Sequence, residues 1–327
     1  MEAVVIGLGS MGKRRIRLLK QSFKSINIRG TDMSESRRQE TFDTFGIPVY
    51  PTLEKALLTP CDYAFVCTAP LSHSRIILQC LSAGLHVFTE LNLVSDDYDK
   101  MIRLAEEKEK ILFLSSTFLY REDVNFLINR INKETASLSY TYHVGQYLPD
   151  WHPWESHKNF FVGEKRTGGC RELLAVELPW LLKAFGDIKA VSSHSYTMSS
   201  LELPYPDTVF VHTEHISGAI GQLLIDVVTR VPVRHFEVFG ENLQLEWRGK
   251  PEDIWVTASD YNVMEKVDLK NEPQRQQGYR DFIVEDAYSE EIRVFFDFIQ
   301  NKCKPKYTFE DDLRTLKVID EILGAGY

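Results

Sequence analysis

The stretch VVIGLGSMGKRRI, residues 4 to 16, places Gly7, Gly9 and Gly12 at GxGxxG spacing, directly after an apolar run and at the mouth of a helical pattern. Few segments constrain a fold as tightly. The first glycine permits a sharp strand-to-helix turn, the second lets the backbone approach a ligand, and the third lets the helix pack close to the strand. A dinucleotide is expected there, its diphosphate resting on the backbone of Gly7, Gly9, Ser10, Met11 and Gly12 at the positive end of the helix dipole.

The rest of the first third continues in kind. Strand candidates at Ala3 to Leu8, Ile26 to Thr31, Tyr63 to Thr68, His86 to Thr89 and Ile111 to Ser115 alternate with helical stretches. Such alternation predicts an α/β fold, a doubly wound parallel sheet of the Rossmann kind. Asp32 closes the second strand 20 residues after Gly12, where a carboxylate can accept both hydroxyls of an adenosine ribose. NAD is the expected cofactor. NADP is admitted, because Arg37 and Arg38 follow closely enough to neutralise a 2'-phosphate, and a plain turn or N-cap is the alternative role for Asp32. Thr68, Ala69 and Pro70 form a loop over the cofactor, His73 opens the next helix, and Glu90 stands at the tip of the strand in GLHVFTE.

From about residue 120 the texture changes. A helix at Val124 to Ile131, a strand at Ser137 to Val144, an aromatic loop from Gln146 to Phe161 and a helix opened by TGG precede five long strand-like runs between Val191 and Trp247. Short SG and GEN turns between those runs predict an antiparallel meander. Helices at Glu285 to Asn301 and Phe309 to Leu323 close the chain, with Glu290 and Glu291 read as a solvated face and Tyr288, Phe295, Phe296 and Phe298 as core. Two domains are expected: a dinucleotide-binding domain over 1–119, and an α+β domain for substrate and oligomerisation over 120–327.

A net charge of -9 without a basic block argues against nucleic acid. No apolar run approaches the roughly 18 residues that cross a bilayer, so no membrane partner is expected. Five cysteines with no CxxC spacing fit reduced thiols in a cytoplasm. His212 and His215 lie at an odd offset on a strand and point to opposite faces, and no other set has zinc-like spacing, so no metal is expected.

GLGSMG, Asp32, CTAPLSH and AGLHVFTE, in this order and spacing, resemble the glucose-fructose oxidoreductase, inositol dehydrogenase and rhizopine-catabolism (Gfo/Idh/MocA) family over essentially the whole chain. The resemblance implies NAD(P)-dependent hydride transfer at a hydroxyl-bearing carbon of a sugar, nucleotide sugar or cyclitol. It also implies an open-faced C-terminal sheet that joins subunits, here in a homodimer or homotetramer. In the family the strand ends in Glu-Lys-Pro, the acid contacting the nicotinamide riboside and the lysine the reacting hydroxyl; this chain has Glu90, Leu91 and Asn92. The family's GG-opened helix carries an Asp and, four residues on, a His. Aligned back from AFG, Glu172 takes the Asp position and Val176 the His position, with Glu177 the rival acid.

The lost lysine and histidine direct attention to GQYLPDWHPWESHKNFF, residues 145 to 161. Trp151 and Trp154 offer flat faces that stack on sugar rings, unless they pack a subunit contact or the core. His152 is a candidate to exchange a proton, because an imidazole is the side chain whose ordinary range lies nearest working pH. His152 and Glu172 are the expected catalytic groups, with Lys165 behind them; Arg121, Trp151, Trp154 and Glu177 are expected to bind substrate. Two other readings stay open: a non-catalytic nicotinamide-nucleotide sensor, and a reductase of an already activated acceptor such as an imine or conjugated system.

Overall fold

The computed structural model describes residues 1–257, 263–269, 271–276 and 283–324. In chain order the first elements are β1 (Glu2–Ile6), α1 (Ser10–Ser22), β2 (Asn27–Thr31), α2 (Glu35–Phe45), β3 (Val49–Tyr50), α3 (Leu53–Ala56), β4 (Tyr63–Val66), α4 (His73–Ser82), β5 (His86–Thr89), α5 (Tyr98–Glu107) and β6 (Leu112–Leu114). There follow α6 (Glu122–Ile131), β7 (Ser139–Gly145), α7 (Gly169–Phe185), β8 (Ile188–Tyr196), β9 (Thr208–His215), β10 (Ile220–Asp226), β11 (Val233–Gly240), β12 (Leu243–Trp247), β13 (Ile254–Thr257) and β14 (Met264–Lys266). The last helices are α8 (Glu285–Ile299) and α9 (Phe309–Leu323).

The chain divides into two compact units, Met1–Ser116 with Tyr288–Leu313, and Thr117–Ala287 with the residues from Arg314 onward. Sequence reading assigned everything past 120 to the second domain, whereas residues 288–313 group with the first unit. Stacking explains the difference. Phe65, Phe88 and Phe113 stand in register on β4, β5 and β6, with successive ring centroids 5.3 and 5.1 Å apart. Phe295 of α8 meets all three edge-on at 5.6 to 5.8 Å, the geometry that ring quadrupoles favour.

The first unit's sheet runs β3-β2-β1-β4-β5-β6 with every pairing parallel. Strand order reverses between β1 and β4, and such a switch point leaves a crevice at the C-terminal strand ends where ligands bind. β3 has two residues and no periodicity to read, which is why the sequence did not reveal it.

The second unit holds an eight-stranded sheet, β14-β13-β12-β11-β7-β10-β9-β8. The expected meander is interrupted: β7 inserts between β10 and β11, parallel to the former and antiparallel to the latter. α7 packs on β9 and β10, and the core gathers Tyr142, Trp180, Phe236 and Trp247. Along β9 Val209, Val211 and Thr213 are buried while Phe210 and His212 are exposed, the alternation of a sheet packed on one face.

Candidate active site

At the C-terminal edge of the first sheet the tips of β1, β2, β4 and β5 present Gly7, Asp32, Thr68 and Glu90. Gly7 adopts φ +90°, and a Cβ there would lie 2.7 Å from the Cys67 carbonyl oxygen, so only glycine lets β1 turn this close to β4. A Cβ on Gly12 would lie 1.9 Å from the Gly7 oxygen, whereas one on Gly9 would meet nothing within 4 Å. Gly7 and Gly12 are thus demanded by the protein's own packing, and Gly9 is not. α1 begins after Gly9 with no side-chain cap and no acid in its first turn, leaving its opening N–H groups without intrahelical partners. Space beside Gly9 and an uncapped positive helix end fit a diphosphate.

Asp32 accepts the Leu8 N–H through Oδ2 at 2.8 Å and the Ser34 N–H through Oδ1 at 2.8 Å, tying the glycine loop to the start of α2. Arg38 is committed to the carbonyls of Asp32 and Met33, at 2.7 and 2.9 Å. Arg37 reaches within 3.8 Å of the Asp32 carboxylate and is half exposed; of the two arginines it is the one placed to meet an added phosphate.

His73 is buried and offers no surface to a ligand directly. Its Nε2 lies 2.8 Å from the Thr68 carbonyl and its Nδ1 2.6 Å from Asn92 Oδ1. Asn92 continues to Tyr98 (2.9 Å), whose hydroxyl donates to Asp312 of α9. Ser72 Oγ donates to Thr68 Oγ1 at 2.7 Å, and buried Pro70 opens the short turn between them. The loop expected to cover a cofactor is therefore held from below by a polar chain. Glu90 receives Arg15 of α1, Nε to Oε1 at 2.6 Å, and Arg15 also reaches Glu291 at 2.9 Å. Glu291 has no exposed surface, which overturns its reading as part of a solvated face. Arg15 escaped sequence reading, yet a signal existed: it lies on the helix stripe with Gly12 and Leu19, and a cation on a buried stripe requires an acid.

In the second unit the expected residues part company. Arg121 is buried, with two nitrogens on the Asp123 carboxylate and a 3.0 Å bond to the Gly249 carbonyl. Glu177 is wholly buried and accepts from Tyr142 (2.6 Å), Trp180 Nε1 (2.9 Å) and Arg234 Nε (2.8 Å). Both were expected to bind substrate; their donors and acceptors are spent inside the unit, and neither is retained. Arg171, the arginine on the same helix as Glu177, pairs with Asp320 at 2.7 Å.

Glu172 differs. Its residue keeps partial exposure, but Oε2 is enclosed without a hydrogen-bond partner, and burial pushes its carboxyl up to about 8. Trp151 packs against that first turn of α7, its ring 3.6 Å from where a Gly169 side chain would begin, and its Nε1 donates to the Gln146 carbonyl. His152 is stacked between Trp154 and Phe160, centroids 5.0 and 4.4 Å away, with Nδ1 3.0 Å from Glu155 Oε1. Trp154 is 71% exposed.

Residues 1–116 match the model of GFO_IDH_MocA, an oxidoreductase family with an NAD-binding Rossmann fold. The chain is 32% identical over 130 residues to myo-inositol 2-dehydrogenase of Thermotoga maritima, across 38% of each protein. It is 28% identical over 194 residues to biliverdin reductase A of Mus musculus, across 58% of this chain and 60% of that protein. The chain thus spans less than two thirds of these curated relatives. The solved WlbA dehydrogenase from Bordetella pertussis, in complex with NADH and UDP-GlcNAcA, matches with a TM-score of 0.77 at 14% identity, over 98% of this chain and 95% of that one. At that identity the likeness is one of fold.

Proposed function

We propose that the protein, whose residues 1–116 match the Gfo/Idh/MocA oxidoreductase family's NAD-binding Rossmann fold, is a nicotinamide-dependent oxidoreductase acting on a hydroxyl or carbonyl carbon of a sugar, nucleotide sugar or cyclitol. The observation that carries the reading is the α1 end, where Gly9 leaves open space beside uncapped N–H groups. Gly7, Gly9, Ser10, Met11 and Gly12 hold the diphosphate, and Asp32 uses its remaining lone pairs on the adenosine ribose. Thr68 and Pro70 flank the cofactor, with His73 securing that loop, and Glu90 meets the nicotinamide riboside. NAD is the expected cofactor, and Arg37 leaves NADP admissible. When bound, the nicotinamide supplies or accepts the hydride.

The proton falls to this chain's own groups, because Leu91 has none to give. Glu172, whose carboxyl titrates near 8, keeps its proton at neutral pH and is suited to give it to a carbonyl being reduced. His152, oriented by Glu155, is the second candidate. Trp151 and Trp154 offer stacking faces to a sugar ring. The exposed side of the second sheet is the surface for self-association.

A second reading, reduction of a conjugated acceptor, is favoured by the match to biliverdin reductase A: hydride delivery to such a system needs little acid help. Purified protein with NADH or NADPH is to be assayed for loss of nicotinamide absorbance against nucleotide sugars, keto-cyclitols and biliverdin. Turnover of the first two classes supports the main reading and turnover of biliverdin the second. Cofactor uptake without any turnover would leave the sensor and remove both.

A further inference from the structure

Beneath Glu90 lies a buried charge cluster to which the roles above give no function. Arg15 has no exposed side-chain surface. Its Nη2 donates to Glu291 Oε2 at 2.9 Å, and to Glu90 Oε2 and Ser115 Oγ at 3.3 Å each. Its Nη1 donates to the Tyr288 carbonyl at 3.1 Å, and its Nε to Glu90. The guanidinium also lies over the rings of Phe88 and Tyr288, at 4.5 and 5.3 Å. Glu291 is saturated in turn: it accepts the Ser116 N–H at 2.8 Å and the Ser115 hydroxyl at 2.9 Å.

One cation therefore serves two acids that differ in surroundings. Glu291 is fully enclosed, while the Glu90 side chain keeps 12% exposure at the strand tip. A planar guanidinium has fixed donor directions. Held on one side by Glu291, Ser115 and the Tyr288 carbonyl, it dictates where the Glu90 oxygens sit and how much of their charge remains for a ligand. Enclosure in a low-dielectric interior makes that control strong.

We infer that Glu291 is a positioning residue which, through Arg15, fixes the Glu90 carboxylate for the nicotinamide riboside, so that α8 governs affinity for the reactive end of the dinucleotide and not for its adenosine end. This rests on the cofactor role proposed for Glu90.

The two ends are separable by ligand. Calorimetry on the full chain would compare NADH with ADP, which lacks the nicotinamide riboside. Glu291→Gln keeps the side chain's size but removes its charge, leaving Arg15 to draw on Glu90 alone; a loss of about tenfold in NADH affinity, with ADP affinity kept within about twofold, is expected. Bound-NADH fluorescence should shift in parallel, reporting altered nicotinamide surroundings. Arg15→Lys, which keeps the charge but loses the fork, should give the same selective loss and stands in if the first variant fails to fold. Arg29→Gln, which breaks an ion pair with Glu2 outside this cluster, should lower the melting temperature and leave the NADH-to-ADP ratio unchanged. Equal losses for both ligands, or no loss for either, would mark the cluster as a structural clamp and overturn the inference. If the unmodified protein binds neither ligand, the cofactor reading itself falls, and that is visible before any variant is made.

Discussion

Glu172 and Glu177 stand on one helix, five positions apart, and their charges meet opposite fates. Glu177 is buried among three donors, the arrangement that makes an interior carboxylate tolerable. Replacing it with leucine strips Tyr142, Trp180 and Arg234 of their shared acceptor and should cost about 3–5 kcal/mol in urea denaturation; a loss too small to measure would refute the structural role. Glu172 has an enclosed oxygen without a donor and a carboxyl raised to about 8 from 4.5. Its folded pKa exceeds its unfolded one, so the native state binds the extra proton between those values. Stability should therefore fall as pH rises from 4.5 to 8, and Glu172→Gln should flatten that stretch of the profile. The same titration predicts that carbonyl reduction declines above about pH 8, with Glu172→Gln about a hundredfold slower and lacking that limb. A variant that keeps both the rate and the limb would transfer the proton role to His152.

At the level of elements, the glycine turn separates what the fold needs from what a ligand needs. Gly12→Ala would drive a methyl into the Gly7 carbonyl, 1.9 Å away, and should open the packing of α1 on β1. Gly9→Ala meets no protein atom within 4 Å and has φ -73°, a value any residue accepts. Its thermal melt should match the unmodified protein while NADH affinity falls at least tenfold, because the methyl takes space assigned to the diphosphate. Unaltered NADH affinity in a Gly9→Ala protein would count against that assignment. The insertion of β7 between β10 and β11 belongs to this scale too. Hairpin turns reveal which strands are consecutive neighbours, but no local signal announces an earlier strand entering between them.

For the whole molecule, the second sheet's exposed side carries Phe210 and Phe239, at 47% and 43% exposure, while the opposite side is packed. Apolar rings left in water on a broad sheet favour a second copy as their cover. Replacing both with glutamate is expected to reduce the mass seen by light scattering and to leave the circular dichroism unchanged; a parent protein that already runs as a monomer would dismiss the idea. No helix among the described residues is long and apolar enough to cross a membrane.

The glycine spacing, the alternation of strand and helix and the acid at the β2 tip were all legible in the chain, because turns and periodicities are local properties of a few residues. Local pattern alone was thus enough to specify a parallel sheet of the Rossmann kind over residues 1–116. Partners for buried charge were decided only by tertiary structure. Arg15 finds Glu291 276 positions away, Arg234 rather than Arg171 answers Glu177, and Arg121, an inviting cation on paper, is spent on Asp123. A charged side chain acts on a ligand only if the folded chain leaves it unspent, and that depends on which surfaces meet, a relation that no window of neighbouring residues contains.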